Sequence, residues 1–166
     1  PDEHPFKPDL YMIAGNIQRK LKQEDAAIKV NQNAFSLATI RKDTLRMSMA
    51  LNNIGLSYNN LEKYQKALEF YSQSLELKRA TNNRRKIAST LNNIGNMYIK
   101  LGEYNEAKPY LVEALSIREK LRQKDDLASS LNRMGDLYMA LRNVTRAENY
   151  LTRAKSLLDS TNYQSE

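Results

Sequence analysis

The sequence predicts an all-α solenoid of four helix-turn-helix repeats, eight helices in all. Three observations predict it. The chain is self-similar at a fixed period of 40 residues. Within each period the apolar residues recur at i, i+3, i+4 and i+7, the spacing of an amphipathic helix. Only five Gly and four Pro punctuate 166 residues, few for a chain with many turns.

The repeat is plainest from Leu51, Leu91 and Leu131, where LNNIGLSY, LNNIGNMY and LNRMGDLY stand 40 apart without a gap. Gly55, Gly95 and Gly135 superpose, as do Tyr58, Tyr98 and Tyr138, and then Ala67, Ala107 and Ala147. A further step back meets Gly15, Leu21 and Ala27, with Tyr11 in place of the opening Leu and Gln18 in place of the Tyr. The expected organisation is a single array over 1–166, with repeats at about 8–47, 48–87, 88–127 and 128–160.

In the first helix of the third repeat, Leu91, Ile94, Gly95, Tyr98 and Leu101 form the apolar stripe. A polar break at 101–104 follows, and Ala107, Leu111, Ala114 and Leu115 mark the second helix. Between repeats, Thr81-Asn82-Asn83 and Lys124-Asp125-Asp126 read as breakers, with Asp43, Thr44 and Asp126 as candidate N-caps. Asn105 as a cap would place Pro109 near the start of its helix. A glycine inside a helix costs about 1 kcal/mol against Ala. Four at one register therefore imply a close helix approach, with Ala67, Ala107 and Ala147 expected opposite.

These residues resemble the tetratricopeptide repeat (TPR) family. Its large–Leu–Gly–Tyr pattern, then Ala–aromatic–Ala, is matched by Leu91, Ile94, Gly95, Tyr98, Ala107, Leu111 and Ala114, with Tyr71 at the aromatic position of the second repeat. The opening Trp is Leu here, the period is 40 rather than 34 and the closing Pro is missing. The longer period and the Asn-Asn-hydrophobic-Gly box are similar to the kinesin-light-chain and LGN/Pins branch, and to TPR sensor domains of bacterial signalling proteins. The resemblance implies a right-handed superhelix with a concave, partner-binding groove.

Composition narrows the chemistry. With no Cys there are no disulfides, thiol nucleophiles or thiolate metal sites, and the compartment stays open between the cytoplasm and an exported space. One His, His4, stands among Pro1, Pro5 and Pro8, which argues against His-based catalysis and multi-His metal sites. The carboxylates fall on solvent faces near Lys or Arg, as with Glu62 and Lys66, and the glycines are solitary rather than a phosphate loop. No catalytic residues, metal or cofactor are expected. Mean hydropathy is −0.69 and no stretch reaches a membrane span, so direct membrane contact is not expected. With no initiator Met, an excised or processed piece is expected.

The face of each first helix opposite its core stripe carries the candidate binding residues. They are Asn52, Asn53 and Asn60 in the second repeat, Asn92, Asn93, Asn96 and Lys100 in the third, and Asn132, Arg133 and Asp136 in the fourth. Eight of seventeen Asn occupy the twenty positions of this ladder although Asn is a poor helix former. An amide both donates and accepts, so it can pair with a peptide backbone. Copying by duplication, or a hydrogen-bond ladder within the solenoid, explains the same pattern. Lys100 and Arg133 suit an acidic ligand, as does the net charge of +7.

The basic runs Arg84-Arg85-Lys86 and Arg118 to Lys124 are read as a solubilising convex surface, and nucleic-acid binding is disfavoured because no aromatic residues interleave with them. The function expected is a non-catalytic module binding an extended peptide or partner segment, within the sensor or regulatory part of a larger bacterial signalling protein; Asn/Lys/Ile/Tyr-rich usage points to an AT-rich genome. The alternative is a scaffold self-associating through its ends, since Leu151, Leu157 and Leu158 have no obvious capping helix after them.

Overall fold

The computed structural model describes residues 7–162, with side chains described up to residue 159. His4, Pro1 and Pro5 lie outside the described residues. Eight α-helices and no strands occur among them. They fall into two compact units, 1–83 and 84–166. The first holds α1 (Lys7–Lys20), α2 (Glu24–Ile40), α3 (Thr44–Asn60) and α4 (Tyr64–Ala80). The second holds α5 (Arg84–Leu101), α6 (Tyr104–Leu121), α7 (Lys124–Ala140) and α8 (Val144–Asn162). Each unit is two antiparallel hairpins: α3 packs on α1, α2 and α4, and α7 packs on α5, α6 and α8.

Every turn has one design. Lys22, Lys42, Glu62, Asn82, Gly102, Arg122 and Arg142 follow a helix at intervals of 20, all with φ between 50° and 79°. At five of them, Lys22, Lys42, Glu62, Gly102 and Arg142, the next residue donates its N–H back five positions, as in Asp43 to Ala38 and Glu103 to Tyr98, closing a Schellman-type cap on the orphan carbonyls. The left-handed residue is thus common to the breaks within repeats and between them. Asp43 is the cap expected, accepting from Arg46 N–H at 2.9 Å. Two others differ. α6 begins at Tyr104, so its cap is Glu103 and Pro109 sits inside the helix. α7 begins at Lys124, so Lys124-Asp125-Asp126 is its first turn and the cap is Gln123. Asp126 is drawn away from capping by an ion pair described below.

The glycine register does bring helices close, but the partner is a large side chain. A β-carbon on Gly55 would lie 2.8 Å from the Tyr71 ring, and one on Gly95 would lie 2.6 Å from Leu111 Cγ. Gly15 meets Asn31 and Gly135 meets Leu151 in the same way, each sixteen residues on. Ala67, Ala107 and Ala147 are fully buried, but their side chains are not what fills these notches. Gly95→Leu is therefore expected to cost about 1–3 kcal/mol despite better helix propensity. Thermal unfolding checks it, and an unchanged or higher midpoint would mean the notch is not filled as described.

The repeated tyrosines pack within their hairpins. Tyr58 stacks on Phe70, Tyr98 on Tyr110 and Tyr138 on Tyr150, with ring centroids 5.3–5.6 Å apart. Lys66 and Arg146 lie over the first and third of these tyrosines.

Candidate functional site

In the first unit, the predicted amides are tied to neighbouring helices. Asn52 Oδ1 accepts from Lys78 Nζ of α4 at 3.1 Å. Asn53 Nδ2 donates to Asn31 Oδ1 of α2 at 3.2 Å, and Asn60 Nδ2 donates to Glu24 Oε1 of α2 at 2.8 Å. Asn52 and Asn53 are half-buried and Asn60 is exposed, so these bonds tie neighbouring helices together while part of each amide stays in water.

In the second unit the same register divides. Asn92 is 6% exposed and donates to Ser130 Oγ of α7 at 2.9 Å. Arg133 and Asp136 pair with each other at 2.8 Å, both well exposed, so the pair adds little stability. Asn93 and Asn96 are half-buried on α5, Lys100 is exposed one turn on, and Asn132 is exposed on α7. Among the described residues, the side chains of these four have no hydrogen-bond or ion-pair partner.

One cluster was not visible as such in the sequence. Arg118, read above as part of a convex surface, is only 3% exposed. Its guanidinium donates to Ser89 Oγ at 2.7 Å and pairs with Asp126, which also accepts from Arg85 Nε at 2.7 Å. Burial raises the Asp126 carboxyl pKa, but the hydrogen bonds and charges of Arg85 and Arg118 outweigh it and hold the group below the ordinary carboxylate value. In the first unit a basic residue holds the position of Asp126, and its acidic partners stand at other registers, Asp9 at that of Ser89 and Asp43 at that of Gln123. There Arg46, at the register of Asp126, takes Asp9 through Nε at 2.8 Å and NH2 at 2.7 Å, and Asp43 through NH1 at 2.6 Å. The signal for Arg118 was present: it continues the stripe Ala107, Leu111, Ala114, Leu115 by a further three residues.

At the end of the second unit, α7 and α8 enclose a concavity of ≈ 440 Å³. Asp125, Ser129, Asn132 and Arg133 line it from α7, and Leu151 and Leu158 from α8. No helix among the described residues is long and apolar enough to cross a membrane.

Comparison with known proteins gives a consistent family. A tetratricopeptide repeat model matches residues 86–160 and a second model of that description matches 48–79, together well over half of the chain. No curated protein sequence matches. Among solved structures, BtubC (BKLC) from P. vanneervenii is 23% identical with a TM-score of 0.83, over 93% of this chain and 66% of that one. A Rap protein complexed with competence and sporulation factor is 18% identical with a TM-score of 0.82, over 96% of this chain. A putative kinesin light chain from P. anserina, with nearly identical TPR-like repeats, is 14% identical with a TM-score of 0.79, over 98% of this chain and 80% of that one. The chain spans only 45% of that Rap protein's length. At these identities the likeness concerns the fold.

Proposed function

The chain belongs to the tetratricopeptide repeat family, and from that premise we propose that it is a non-catalytic module that holds an extended peptide or partner segment. We place it in the sensor or regulatory part of a larger bacterial signalling protein. The observation that carries the reading is the α5 face, where Asn93, Asn96 and Lys100 stand at i, i+3 and i+7 with their polar groups uncommitted. Two amides so spaced can donate to and accept from a peptide backbone, and Lys100 adds a charge for an acidic group. Asn132 on α7 extends the face. Arg133, already paired with Asp136, contributes less to acid recognition than Lys100. The Rap protein with its bound factor supports the partner-binding part of the proposal.

Peptides selected from a random library on this chain supply the probe. Asn93→Ala with Asn96→Ala is expected to weaken them about tenfold, from ~0.5–1.5 kcal/mol per lost hydrogen bond, with helical content intact. Lys100→Ala should weaken the acidic ones selectively. Asn52→Ala should instead lower the melting temperature. Selected peptides indifferent to all three α5 changes would rule the face out.

A second reading is a scaffold joining copies end to end. It draws on α1, whose Leu10, Ile13 and Ile17 are each more than half exposed, as is Leu21 just after it. A strict monomer in sedimentation at high concentration would remove it.

A further inference from the structure

The first hairpin departs from the others beside its turn. Gln18 and Val30 stand where the other three hairpins stack two rings, and Glu24 stands where the second and third repeats carry Tyr64 and Tyr104. The polar groups so introduced do not satisfy one another. Glu24 is only 9% exposed; its Oε1 accepts from Asn60, but its Oε2 has no hydrogen-bond partner among the described residues. Arg19 Nη1 and Gln18 Oε1 are orphaned in the same way. A buried polar group left unpaired costs free energy, so three together call for a reason.

Arg19 and Glu24 line a concavity of ≈ 590 Å³, with Lys20, Lys22, Asn60 and Leu61. Its walls are the turn after α1 and the end of α3, both within the first unit. Lys20 and Lys22 are exposed, and among the described residues neither has an ion-pair partner. The second unit has the counterpart of this concavity 80 residues on, at ≈ 340 Å³. There Tyr104 takes the place of Glu24, and Glu103 and Glu106 line the wall with no base. The architecture is shared and the charge is inverted.

We propose that the concavity of the first unit is a site for a small dianion carrying a hydrogen-bond donor, of which hydrogen phosphate is the simplest. Three cations against one carboxylate leave two positive charges in excess, which a dianion balances. Arg19 presents a fork of donors suited to phosphate oxygens, and Lys20 and Lys22 add charge. Glu24 sets the finer requirement. An ionised carboxylate can only accept, so it disfavours an anion with no proton to share and takes one that has it. Hydrogen phosphate has that proton; sulfate, of the same shape and charge, has none. The orphaned atoms are shut from bulk water, so the ligand reaches them by a turn of the Arg19 and Glu24 side chains at the wall. A free amino acid fits less well, since a zwitterion leaves the two excess charges unbalanced. The proposal goes beyond the α5 face and stands if that reading fails.

Isothermal titration calorimetry on the intact chain, at low ionic strength and mildly alkaline pH, tests it. Inorganic phosphate is expected to bind saturably, with sulfate about tenfold weaker. Glu24→Gln keeps the size of the side chain and an acceptor for Asn60, and supplies a donor. It should erase the preference by strengthening sulfate. Lys20→Gln with Lys22→Asn, both at exposed positions, should weaken phosphate about tenfold. Arg84→Gln, in a different basic turn, should leave it unchanged. Helicity and melting temperature check that each variant is folded. Glycerol phosphate, whose donors are hydroxyls, identifies the source: tighter binding than phosphate assigns the site to a hydroxylated ester, weaker binding to the free ion. The proposal is overturned if phosphate does not saturate at tens of millimolar, if sulfate equals it on the native chain, or if Glu24→Gln leaves the preference intact. Loss of binding in Arg84→Gln would overturn it in favour of that turn, and glycine binding where phosphate does not would overturn it in favour of an amino acid.

Discussion

Tyr71→Ala is expected to lower unfolding stability by about 3–5 kcal/mol, the range for deleting a large buried ring. The side chain is 1% exposed and its ring fills the notch that Gly55 opens in α3. Burial also pushes the Tyr71 hydroxyl pKa well above its ordinary value, as a ring removed from water requires. Without the ring, α3 and α4 face a cavity that two helices fixed by their turns cannot close. Urea denaturation measures the loss. The pairing with Gly55 is tested by a double variant. Gly55→Leu should overpack the native chain by about 1–3 kcal/mol, yet cost far less, or partly repair the damage, in the Tyr71→Ala background. A coupling energy near zero in that cycle would mean position 55 and the ring do not share one space.

Asp126→Ala is expected to cost about 3 kcal/mol, because it strands a buried guanidinium. Arg118 would keep Ser89 as a hydrogen-bond partner but lose its countercharge. Arg85, whose side chain is 62% exposed, can turn to water and contributes little to the loss. Replacing Arg118 and Asp126 together with Leu and Ser should cost less than Asp126→Ala alone. The pH dependence has a definite sign. Asp126 has a folded-state pKa below its unfolded value, so its contribution is present above the ordinary carboxylate pKa and is lost as pH falls through the folded value. Asp43 behaves alike in the first unit, held low by Arg46 despite its burial. The urea midpoint should fall on acidification below about pH 4, and less steeply in Asp126→Asn. Equal slopes would remove Asp126 from the acid transition.

The fold was legible because its signals repeat in phase. Gly55, Gly95 and Gly135 each mark a close approach, and the tyrosines three residues on pack within each hairpin. The candidate site was less legible for a related reason. Asn52, Asn92 and Asn132 are one letter copied at one register, but the neighbours of each copy differ. The first meets Lys78, the second meets Ser130, and the third opens on the terminal concavity. Periodicity places a side chain on a face; what stands across from it depends on residues that the repeat does not conserve. Arg118 reverses the lesson. Its charge suggested solvent, while its place in the stripe of Ala107 and Leu111 indicated the interior, and the stripe prevailed because Asp126 and Ser89 came with it.

The seven turns constrain how such a chain can change in length. Six of them hold a residue other than glycine in the left-handed region, a conformation imposed by the capping bonds and the packed helices on either side. Connectors ordinarily absorb insertions. Here one residue added to a turn within a hairpin would rotate the following helix by about 100° and turn the side chain that fills the glycine notch away from it. Heredity is left with substitution at fixed length, or with the gain and loss of whole hairpins. Relatives that share the 40-residue period should therefore differ in how many hairpins they carry, while the lengths of helix and turn stay constant. A single-residue insertion beside Glu62 should be far more damaging than the duplication of residues 44–83.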